Sequence, residues 1–148
     1  MLIGPLFMAQ DYLLRLIEQV SQMIAEILAL RKVGRISDAA EQIEAICQQN
    51  IGLPLDLVKR SAPEAILQLL ASGGGTQHIR AVMLAELLLQ DAELNDDAGK
   101  NREATISRAQ ARVLLARNID RLSPDDQTVY RRKLEALDAQ ISDPGGNK

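Results

Sequence analysis

The first third of this chain carries one long helical pattern, and that pattern limits what the rest can become. Leu13, Leu16, Val20, Met23, Ile27 and Leu30 recur at a 3-4-3-4-3 spacing. Such spacing lays large apolar side chains along one side of a helix. Ile17, Ile24 and Leu28 widen the seam beyond what a two-stranded coiled coil needs. The helix is expected over about Asp11–Lys32, roughly 33 Å at ~1.5 Å per residue, with Gly34 as its stop. A face this wide can bury two flanks. The helix that follows covers one of them, and a second copy of the chain is expected on the other.

The remaining sequence also reads as helices. No stretch alternates apolar and polar residues between turn signals as a strand would. Ser37 is placed to cap a helix running to Asn50-Ile51-Gly52, with Ala39, Ala40, Ile43 and Ile46 as its apolar face. A short helix is expected over Pro54–Arg60. Ser61-Ala62-Pro63-Glu64 then has the form of a capping box for a helix through Leu70, which Gly73-Gly74-Gly75 ends. Thr76 can cap a helix to about Leu94, and 95–101 reads as a polar loop. From Arg102 to Leu122 two faces are apolar, Ile106, Ala109, Val113 and Ala116 on one and Leu115, Ile119 and Leu122 on the other. Two such faces predict an inner helix. Ser123-Pro124-Asp125-Asp126 opens a last helix to about Ile141, and 142–148 is expected to fray. The expected fold class is therefore all-α: one domain over 1–148, five to six helices, arranged as antiparallel hairpins or an irregular bundle.

Composition narrows the function. Phe7, Tyr12 and Tyr130 are the only aromatic residues, so aliphatic residues must fill the core and there is little on which nucleic acid bases could stack. Cys47 stands alone, which rules out an intramolecular disulfide and a zinc–thiolate cluster and fits a reducing compartment. The apolar start, Met1–Met8, lacks a basic run, so no secretory signal is expected. Met8-Ala9 would also serve as a start, which leaves residues 1–8 open as a disordered extension. Asp11, Arg15, Glu18 and Glu26 interrupt the only stretch that could become a membrane span. The expected address is cytoplasmic. Charge is uneven: residues 34–99 hold four basic and ten acidic side chains, whereas 100–133 hold nine basic and four acidic. Two such segments can attract each other inside one fold or meet a complementary partner.

Leu28, the turn Gly34-Arg35, Ala39, Ile43 and Ile46 resemble one tetratricopeptide-type hairpin, in which a small residue lets two helices approach closely. The segment Gln10-Asp11-Tyr12-Leu13-Leu14-Arg15-Leu16-Ile17-Glu18-Gln19 is similar to the start of a family of uncharacterised bacterial helical proteins. That resemblance implies a long leading helix followed by tetratricopeptide-like hairpins. It carries no activity.

Each candidate for chemistry has a plainer reading. His78 has no base, nucleophile or second ligand near it in sequence and reads as a solvated or capping residue. Gly73-Gly74-Gly75-Thr76 lacks the Gly-Lys-Ser/Thr ending of a phosphate loop. With Asp91 as position one of a calcium loop, the glycine and the glutamate it requires are Asp96 and Arg102. Cys47 is flanked by Gln48 and Gln49 rather than by a base. Arg108 and Arg112 lie opposite Arg117 and Arg121 around their helix, so the arginines form no single stripe for phosphate. They are expected to pair with the acidic middle segment instead. No catalytic, cofactor-binding or metal-ligating residue is named, and neither nucleic acid nor a membrane is expected as a partner.

The chain reads as a non-enzymatic scaffold, a homodimer through Leu13, Leu16, Ile17, Val20, Met23, Ile24, Ile27 and Leu30. A tetratricopeptide-like adaptor for a protein or peptide partner is the alternative.

Overall fold

The computed structural model describes residues 4–72 and 77–142, with side chains described over 18–72 and 77–141. All its regular structure is helical: α1 (Gly4–Lys32), α2 (Ile36–Ile46), α3 (Leu55–Arg60), α4 (Pro63–Ala71), α5 (Gln77–Asp97), α6 (Asn101–Asn118) and α7 (Pro124–Ser142). Among the described residues these are seven α-helices, against the five to six expected. A π-helical turn, Cys47–Ile51, extends α2, and a 3-10 turn, Ile119–Arg121, extends α6.

Glycine makes three of the turns. Gly34, Gly52 and Gly99 take φ of 83°, 87° and 78°, a left-handed conformation that a Cβ would strain. Gly34 ends α1 and folds α2 back along it. Gly52 caps the π turn, its N–H donating to the Cys47 carbonyl at 3.0 Å, while the Arg80 guanidinium donates to the Ile51 carbonyl and ties this end of α2 to α5.

Two expected caps fail and one forms. α2 starts at Ile36, with Arg35 at its N-cap and no side-chain cap, so Ser37 is already inside the helix. α4 starts on Pro63 with Ala62 at the N-cap. Ser61 instead donates backwards, Oγ to the Leu57 carbonyl at 2.6 Å, closing α3. At α7 the Ser123 hydroxyl accepts from the Asp126 N–H at 3.3 Å and donates to the Asp126 carboxylate at 3.0 Å. That exchange is an N-terminal cap of the expected kind.

The inner helix is α5, not the Arg102–Leu122 helix that the sequence pattern marks. It packs against α1, α2, α4 and α6, and Ile79, Ala81, Leu84, Ala85, Leu87 and Leu88 are buried around its circumference. Leu87-Leu88-Leu89 breaks any helical period, as expected of a helix covered on several sides. Of the two faces expected on α6 and its 3-10 extension, Leu115, Ile119 and Leu122 are buried, whereas the other is only partly covered. Ala109 and Ala116 are exposed, whereas Ala104, Ala111, Leu114 and Leu115 are buried together with Ser107, Arg108, Gln110 and Asn118.

Side-chain bridges fix the directions. Arg31, at the end of α1, bonds Asp97 and Glu93 at the end of α5, so these two helices run parallel. α6 turns back along α5, and α7 turns again to bring Tyr130 and Lys133 onto Glu86. α3 and α4 close another side, with Gln110 of α6 donating to the Val58 and Ser61 carbonyls at 2.8 and 2.5 Å.

This register exposes a mismatch in length. Arg31 lies level with Glu93–Asp97, and Val20 lines a cleft with Val82 and Met83. The first residue of α5, Gln77, therefore stands level with about residue 14 of α1. About ten residues at the start of α1, ~15 Å at ~1.5 Å per residue, run past the end of α5. The helix begins at Gly4 rather than near Asp11, with Pro5 in its first turn. The frayed tail expected over 142–148 lies almost wholly outside the described residues, as do Gly73-Gly74-Gly75-Thr76.

Candidate functional site

α1 lies on α5, and α7, packed mainly on α6, reaches α5 through Tyr130 and Lys133, which leaves a cleft between α1 and α7. Val20, Ser21 and Ile24 form the α1 wall, Ile79, Val82, Met83 and Glu86 the floor, and Leu122, Asp126 and Tyr130 the other wall. The cleft holds about 70 Å³ and is mostly apolar, well below the few hundred Å³ of ordinary ligand sites. Its polar edge is already satisfied. Tyr130 donates its hydroxyl to Glu86 Oε2 at 2.9 Å, and Lys133 Nζ lies 2.6 and 2.7 Å from the two Glu86 oxygens. The Lys133 ammonium also stands 5.3 Å from the centre of the Tyr130 ring. Burial, and then the neighbouring Glu86 carboxylate, push the Tyr130 phenol well above its usual range, so it stays protonated as a donor.

The eight expected interface residues divide. Val20 and Ile27 are buried in the chain's own core and present no surface to a second copy. Met23, Ile24 and Leu30 are half-buried against that core. Leu13, Leu16 and Ile17 lie outside the described side chains. Leu28, one of the hairpin-resemblance positions, is 43% exposed, whereas Ala39, Ile43 and Ile46 pack inside. The seam thus holds the monomer together over its second half.

A second polar assembly occupies the opposite end of α5. Asp91 Oδ2 accepts from Lys59 Nζ at 2.8 Å, Ser107 Oγ at 2.6 Å and Asn95 Nδ2 at 3.0 Å, and Lys59 also reaches Glu103 at 2.9 Å. Beside it, Arg31 bonds Asp97 at 2.5 Å and Glu93 at 3.3 Å, while Arg108 bonds Glu93 at 3.2 Å and also Asp96. The acidic run is therefore the last turns of α5 and not the polar loop expected from 95. Cations from α1, α3 and α6 neutralise it and let the helix continue to Asp97. Arg117 pairs with Glu64 and Arg112 with Asp138. Arg108 and Arg117 thus serve the acidic middle segment, as the charge asymmetry suggests, whereas Arg112 serves α7.

These pairs make stability depend on pH in a definite sense. The hydrogen bond from Arg31 holds the Asp97 carboxyl below its ordinary 3.8, and the hydrogen bond and charge of Lys59 hold Glu103 below 4.5. Burial alone would lower Lys59, but its hydrogen bonds to Asp91 and Glu103 raise it above 10.5. The two carboxylates stabilise the fold above their unfolded values, and that contribution is lost as pH falls through the lowered folded ones. The lysine contribution is full below 10.5 and is lost as pH rises through its raised folded value. The urea midpoint should be flat between about pH 6 and 9 and fall on either side. Arg31→Met should make the acid limb shallower; an unchanged limb would remove Asp97 from the account.

Among the described residues no group of three or more His, Cys, Asp or Glu is placed to hold a metal ion. Burial, then the charge of Arg121, lower the His78 imidazole, which favours its neutral form. Cys47 is fully buried, and burial pushes its thiol up to about 12. Among the described residues no helix is long and apolar enough to cross a membrane.

The sequence pattern missed Glu86, Tyr130 and Lys133. Tyr130, an aromatic in a chain nearly without them, was the one available signal. Comparison with family models, curated proteins and solved structures finds no match to this chain.

Proposed function

We propose that this chain is a non-enzymatic helical scaffold that self-associates through the start of α1. The observation that carries the reading is the length mismatch: α1 runs about ten residues beyond the level at which α5 begins. That stretch includes Leu6, Phe7, Met8 and Tyr12. An apolar helix that outruns its neighbour α5 is satisfied most simply by a two-fold copy of itself. The expected address is the cytoplasm.

Light scattering across micromolar concentrations is the test. The parent chain should show about twice its 16.2 kDa mass. Leu6→Glu combined with Leu13→Glu should give a monomer with unchanged helical circular dichroism. A parent chain that is monomeric throughout would end the proposal.

A second reading rests on the cleft between α1 and α7, a small apolar crevice of a size to seat one anchoring side chain. Under it the chain is an adaptor for a peptide or protein partner, in the manner of the tetratricopeptide resemblance.

A further inference from the structure

We draw no further inference here: the strongest candidate, the open depression on the outer face of α1 where Ala25, Leu28, Ala29 and Lys32 lie beside Asp97, is an exposed helix face, and nothing in the structure shows what covers it.

Discussion

Asp91→Ala should lower the free energy of unfolding by about 3 kcal/mol, the lower end of what breaking one side of a buried ion pair costs. The cost arises less from the lost contact than from what remains. Lys59, only 11% exposed, would keep its charge inside the fold with Glu103 as its one remaining anion. Ser107, fully buried, would lose its acceptor. The exposed pair Arg60–Asp56, at 3.0 Å, provides the contrast. Asp56→Ala should change stability by no more than about 0.5 kcal/mol. Replacing Lys59 and Asp91 together by methionine and leucine should recover most of the loss, because no unpaired charge is left behind. Urea denaturation of the single and double variants gives all three numbers. A loss below about 1 kcal/mol for Asp91→Ala would mean that water reaches the site and the pair is not desolvated.

The second large effect separates the two uses of α1. Ile27→Ala should destabilise the fold by about 2–5 kcal/mol, since a fully buried isoleucine leaves a cavity that close-packed neighbours refill only partly. Leu28→Ala, one residue on but 43% exposed, should cost no more than about 0.5 kcal/mol. Neither change should alter the dimer constant, because the proposed contact lies nearer the start of the helix. If Ile27→Ala instead dissociated a dimer without lowering the unfolding midpoint, residue 27 would belong to an interface and the α1–α2–α5 packing would be wrong.

Periodicity and punctuation made the helices legible. The seam of α1, the stop at Gly34, the cap at Ser123 and the apolar face of α2 all left local signals, and the fold class followed. What was not legible depends on partners distant in sequence. Ser107, Arg108 and Gln110 look like an outward polar face of α6, because Asp91, Glu93 and the Val58 carbonyl that hold them lie far along the chain. The acidic turns at the end of α5 look like a loop for the same reason, their cations being Arg31 and Arg108. Ser37 and Ser61 have the right chemistry for caps but stand two residues after and one residue before the positions the backbone selects. The cleft draws its walls from residues 20–24, 79–86 and 122–130, so no spacing within one segment records it.

Polarity is distributed along α5 in a way that gives the molecule two unlike poles. Towards Gln77 the helix is clasped by aliphatic side chains, and towards Asp97 by guanidinium and ammonium groups drawn from three other helices. Dissolved ions screen charge over roughly 8–10 Å at ordinary ionic strength and hardly touch aliphatic contacts. Cooling weakens aliphatic burial and spares the ion pairs. Brine would thus loosen the hairpin-turn pole while leaving the cleft pole closed, and cold would do the reverse. The solvent itself can open this small bundle from either end.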